Sequence, residues 1–109
     1  MRIVIRPSKG WPAASVALVR TRLAFALGRF AGCVRSVSVR LTDLNGPRGG
    51  DDIKCLIAVR LTRSRRVIVI EDVDADPAVA VSRAVERTSR AVSRAVQAAS
   101  DWRHQQSRY

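Results

Sequence analysis

From Val34 to Val73 the chain reads as three runs of alternating or β-branched residues separated by turn clusters. Val37, Val39 and Leu41 alternate with Ser36, Ser38, Arg40 and Thr42. That pattern predicts a strand over Val34–Asp43 with one buried and one polar face. Asn45–Asp52 is rich in Gly, Asn and Asp and reads as a wide hairpin turn. Ile53, Cys55, Ile57, Val59 and Leu61 then share one face of a second strand. Thr62–Arg66 turns the chain, and a third strand runs from about Arg66 to Val73. Three consecutive strands joined by turns predict an antiparallel meander. A sheet with one apolar face must have that face covered, and this requirement governs how the rest of the chain is read.

The flanking segments supply the cover. Arg2–Arg6 alternates, with Ile3 and Ile5 on one side, and predicts a short strand ended by Pro7 and Gly10. Val16, Val19, Leu23, Leu27 and Phe30 follow at helical spacing, with Pro12 in the first turn and Gly32 as the stop. A right-handed crossover through this helix predicts that the first strand lies parallel to a neighbour. After the meander, Asp76 is a candidate N-cap with Pro77 at the first helical position. A second helix is expected to about Ser100, with Ala78, Val81, Val85, Val92, Ala95, Val96 and Ala99 on its apolar face and Thr88 in the stripe. Glu71, Asp72, Asp74 and Asp76 sit at or before its positive end, where the helix dipole favours acids. The expected fold is α+β: the order β-α-β-β-β-α, a four-stranded sheet with both helices on one face. Residues 1–100 form one domain in this reading, and 101–109 a short flexible tail.

Charge narrows the function. The chain has 109 residues, 20 of them basic and 9 acidic, for a net charge of +11. Eighteen of the basic residues are Arg. A GC-rich genome favours Arg over Lys but does not produce the net excess. A small folded protein with this imbalance is expected to meet polyanions, because each neutralised phosphate releases counterions. Arginine also forks onto phosphates and stacks on bases.

Other classes are not expected. The start of the chain has no long apolar segment of the secretory type, and no run approaches the length of a membrane span. Cys33 and Cys55 are too few for a disulfide scaffold, and one histidine, His104, does not complete a zinc site. Reduced thiols and a cytoplasmic location are the expectation. No base, metal set or cofactor loop is recognisable, so the chain reads as a non-enzyme with no cofactor, no small-molecule substrate and no membrane partner. The glycines of 45–52 precede a strand rather than a helix and do not have calcium-loop spacing. Trp11 and Trp102 flank the helices and are expected to pack at the domain edge rather than stack on bases.

The clearest chemical feature is on the second helix. Arg83, Arg87, Arg90 and Arg94 recur at spacings of 4, 3 and 4 residues and form a stripe along one side. Like charges at this spacing repel, and in sequence only Glu86 lies within the stripe to relieve them. A solvated helix face is the plain alternative to a phosphate-binding one. Arg20, Arg22 and Arg29 on the first helix are expected to merge with the stripe into one basic surface if the helices lie side by side.

These residues resemble the ribosome hibernation-promoting factor and ribosome-associated inhibitor family. Its second helix carries approximately acid-basic-Leu-x-Arg-x-aliphatic-x-basic, which Glu86, Arg87, Arg90, Val92 and Arg94 match, with Thr88 in place of Leu. The end of its first helix is similar to Arg22, Leu23, Leu27, Arg29 and Phe30. Residues 37–55, with an Asp-x-Asn turn, a Gly-Gly-Asp-Asp run and Cys55, resemble one subgroup. The resemblance covers residues 1 to about 98.

It implies a protein that binds small-subunit rRNA between head and body, over the mRNA and the A- and P-site tRNA positions. Such a protein blocks translation by occupying space and preserves idle ribosomes under stress. By motif it carries over Arg22, Arg29, Arg87, Arg90 and Arg94 as rRNA contacts, while Arg83 and Arg20 rest on their helix positions alone. A monomer is expected. Phe25 departs from the family, which has a polar or basic residue there, and leaves an apolar patch on the first helix. Two alternatives stand beside this reading: a generic RNA- or DNA-binding module, and a protein-interaction regulator using the Phe25 side or the open sheet face.

Overall fold

A computed structural model describes residues 1–8, 11–44 and 52–106, and for 103–106 the backbone alone. The elements are β1 (Arg2–Pro7), α1 (Ala13–Leu27), β2 (Val34–Asp43), β3 (Ile53–Leu61), β4 (Val67–Asp74) and α2 (Pro77–Gln106), with a 3₁₀ turn at Gly28–Phe30. The sheet order is β1-β2-β3-β4. β1 pairs with β2 in parallel, Ile3 opposite Val37 and Ile5 opposite Val39. β2–β3 and β3–β4 are antiparallel. The expected order, the parallel crossover pair and the meander are all present.

Alternation builds the core. Val37, Val39 and Leu41 of β2 and Cys55, Ile57 and Val59 of β3 are buried on one face. Val19, Leu23 and Leu27 of α1 and Val81, Val85 and Val92 of α2 close over them. α2 lies along β3 and β4, and α1 beside it toward β1. Two small residues outside the expected stripe, Ala80 and Ala84, are fully buried and let α2 approach the sheet closely, whereas Ala78 and Ala99 are exposed. Thr88 is also fully buried, and its hydroxyl donates to the Ala84 carbonyl at 2.7 Å. That bond satisfies the one polar side chain in the stripe.

Asp76 caps α2 as expected: the Ala78 N–H donates to its Oδ1 at 2.9 Å. The ends of both helices depart from expectation. α1 stops at Leu27 rather than running to Gly32, because the 3₁₀ turn at Gly28–Phe30 tightens the chain into β2. α2 continues to Gln106, six residues past Ser100, so the first part of the expected tail is helical. Among the described side chains here, Gln97 donates to Asp101 at 3.0 Å, one turn on. The turn expected at Asn45–Asp52 falls largely outside the described residues. Its base is closed by the Leu44 N–H donating to the Asp52 carbonyl at 3.0 Å. Among the described residues, no helix is long and apolar enough to cross a membrane, and no group of His, Cys, Asp or Glu is placed to hold a metal ion.

Candidate nucleic-acid interface

The α2 arginines divide into two pairs. Arg83 and Arg87 reach sideways onto β4. Arg83 meets Asp72 at 3.1 Å and Asp74 at 2.8 Å, and donates to the Val73 main-chain oxygen at 3.0 Å. Arg87 meets Asp72 at 3.2 Å and donates to the Glu71 main-chain oxygen at 2.7 Å. The expectation that only Glu86 relieves the stripe is therefore corrected. Asp72 and Asp74 face the helix because alternation along β4 places them on the same side as Ile68 and Ile70. They act as side-chain partners, while Asp76 alone makes the helix cap.

β4 is an edge strand, and an edge presents unpaired main-chain groups. Arg83 and Arg87 occupy two of its oxygens. Arg20 does the same at the opposite edge, donating to the Ile3 oxygen of β1 at 2.7 Å. Three of the seven candidate RNA contacts thus fasten the helices to the two edges of the sheet.

The other four look outward. Arg29 stacks on its neighbour Phe30, 4.7 Å from the ring centre. Arg90 pairs with Glu86 at 3.2 Å, an exposed i,i+4 contact of small energy. Arg22 and Arg94 are exposed and have no ion-pair partner among the described residues. The helices do lie side by side, joined by the Ser89 hydroxyl donating to the Ala26 carbonyl at 3.4 Å. Between them runs a groove of about 570 Å³ lined by Arg22, Phe25, Ala26, Val85, Glu86 and Arg90. Phe25 is 91% exposed at its rim, so the expected apolar patch is present, with an arginine from each helix beside it.

The two tryptophans behave differently. Trp11 is half-buried and packs on the core. Trp102, also expected at the domain edge, is 61% exposed there. It lines a groove with Cys33, Leu61, Thr62 and Val96. Both thiols are free. Burial, and then the nearby Asp72 carboxylate, push the Cys55 thiol up to about 12. The His104 side chain lies outside the described residues.

Solved structures share this arrangement. The N-terminal domain of Protein Y from Thermus thermophilus superposes with a TM-score of 0.65 at 25% identity, over 85% of this chain and 93% of that one. A ribosomal subunit interface protein from Coxiella burnetii superposes with a TM-score of 0.72 at 12% identity, over 89% and 99%. The chain has the hibernation-promoting factor fold. No protein-family model and no curated protein matches the sequence itself. The resemblance drawn from the helix motifs is thus met in three dimensions.

On the hibernation-factor fold, basic residues missed in the sequence stand out on the sheet. Arg2, Arg6, Arg40, Lys54 and Arg60 project from the face opposite the helices, as the alternation of buried neighbours requires. The alternation of β1, β2 and β3 is itself the sequence signal that places them there.

Proposed function

We propose that this chain is a ribosome-associated hibernation factor. It binds small-subunit rRNA through the face where α1 and α2 meet, over the mRNA and A- and P-site tRNA channel. Translation stops because the channel is filled, with no chemistry, cofactor or metal, and a factor of this kind works in the cytoplasm as a monomer.

The observation that supports this most is the α1–α2 face itself: Arg22 and Arg90 beside the exposed ring of Phe25, with Arg94 exposed one turn further along α2, on a fold shared with Protein Y and a ribosomal subunit interface protein. Guanidinium groups neutralise phosphates, and an exposed ring offers an unpaired base a stacking surface. Arg20, Arg83 and Arg87 hold this face in place and lend it residual charge.

Pelleting with purified small subunits and whole ribosomes, at low and high salt, tests the reading. Co-sedimentation that falls steeply with salt is expected. Equal affinity for arbitrary duplex RNA would instead make the chain a generic RNA-binding module. Oligomerisation without RNA affinity would make it a protein-interaction regulator.

A further inference from the structure

Three acids that are nearest the α2 arginines are used locally: Asp72 and Asp74 on Arg83 and Arg87, Glu86 on Arg90. Positive charge on the uncovered sheet face has no such compensation. Arg2, Arg6, Arg40, Lys54 and Arg60 have no ion-pair partner among the described residues, and Glu71 is the one acid among the outward-facing strand residues described.

The strand register orders these cations. Arg2 lies opposite Ser36, and Ser36 opposite Arg60, so one row reads Arg–Ser–Arg across three strands. Its two arginines are about 10 Å apart, at roughly 4.8 Å per strand. The register shifts between Val34 and Ser36, and the extra residue in this bulge is Arg35. A bulge re-aims a side chain, and Arg35 lines one concavity of about 550 Å³ with Arg2, Ser36 and Arg60. No acid lines it. Four residues further along β1, Arg6 lies directly opposite Arg40. The second row is therefore about 13 Å from the first. Like charges directly opposite on a sheet destabilise it unless a counter-charge intervenes. Between the rows lie Val4, Ser38, Ala58 and Val69, a floor whose two central residues are small.

We propose that the uncovered sheet face is a second RNA-backbone surface, with one phosphate held in the Arg2–Arg35–Ser36–Arg60 concavity and the strand continuing over Ser38 and Ala58 toward Arg6 and Arg40. Charge complementarity selects the occupant: two arginine rows with short side chains between them accept a flexible polyanion and leave room for its backbone. This rests on the reading of the chain as an RNA-binding protein. It adds that the domain contacts RNA through its sheet face as well as its helix face.

The test uses the full chain and a fluorescein-labelled single-stranded oligouridylate, with Kd measured against salt. The sheet variant is Arg2→Gln, Arg35→Gln and Arg60→Gln. All three positions are exposed, and amide NMR spectra check that the fold is kept. A parallel helix variant is Arg22→Gln, Arg90→Gln and Arg94→Gln. The sheet variant is expected to shrink the slope of log Kd against log salt by about 0.7, the share of the one phosphate held in the concavity. Oligouridylate is also expected to shift the amides of Ser36, Ser38 and Ala58 in the wild-type chain. A slope altered only by the helix variant, with amide shifts confined to α1 and α2, would overturn this inference and leave the helix-face reading intact. Shifts confined to the sheet would do the reverse. No shift on either face would overturn both. Loss of a dimer in the sheet variant, with RNA affinity unchanged, would assign the face to a second copy of the chain instead.

Discussion

The Arg87 guanidinium donates to the main-chain oxygen of Glu71 at 2.7 Å, which makes a helix residue part of the sheet edge. Arg83 repeats the contact at Val73, and Asp72 lies between the two guanidiniums. A charge stripe with the spacing of a polyanion-binding face is thus, over half its length, a fastening between α2 and β4.

Removing both fastenings leaves the Asp72 carboxylate, whose side chain is 12% exposed, without its partners. Arg83→Ala with Arg87→Ala is expected to lower unfolding stability by about 1–2 kcal/mol, within the range for partly exposed pairs and hydrogen bonds. Urea denaturation measures this. Light scattering should also report more self-association, because the β4 edge is opened. Unchanged stability and solubility would show that the contacts are incidental.

Ribosome binding should follow the outward arginines instead. Arg22→Ala, Arg90→Ala and Arg94→Ala together are expected to weaken co-sedimentation strongly, at about 1 kcal/mol or more for each contact. Arg83→Ala with Arg87→Ala should weaken it less. The reverse ranking would return the binding role to the fastening pair.

Phe25→Ala separates stability from binding. The ring is 91% exposed, so its loss should change the unfolding midpoint little. A base stacked on it contributes about 1–3 kcal/mol, and RNA affinity should fall by that amount. Equal RNA affinity in the variant would remove Phe25 from the interface.

The thiols should differ in reactivity and in their effect on pH stability. Cys33 is partly exposed, whereas Cys55 is fully buried with its pKa raised from 9.0 to about 12. Iodoacetamide near pH 8 should label Cys33 first, and Cys55 only on unfolding. In linkage terms, the unfolded chain releases the Cys55 proton near its ordinary pKa while the folded chain keeps it. Stability from this group is therefore complete below about pH 9 and is lost as pH rises toward about 12. A Cys55→Ala chain should show a shallower decline in denaturation midpoint over that interval.

The fold was readable because its signals are local and periodic. Alternation in β2 and β3, the helical spacing of Val19, Leu23 and Leu27, and the Asp76–Pro77 start each act within a few residues. The interface was less readable because partner choice acts across elements. Nothing between Glu71 and Arg87 in sequence tells that fifteen residues separate Arg87 from its Asp72 partner but a hydrogen bond joins them in space. The same holds for Arg20 and Ile3. The sheet-face arginines were legible in principle, since a residue out of phase with the core must face away from it. Arg35 was not, because the bulge that turns it breaks that phase.

The parallel pairing of β1 with β2 has a consequence for how the molecule opens. β2, β3, β4 and α2 follow one another in the chain and meet their neighbours directly, whereas β1 reaches β2 only after α1 has closed a long loop. Such a strand carries the larger entropic cost of closure and the fewest neighbours, being short and at the edge. Amide exchange should therefore be fastest in β1 and slowest in β2 and β3, so that the domain frays from its first strand while the meander and α2 persist. Arg20, bonded to Ile3, is the side chain that holds that end shut.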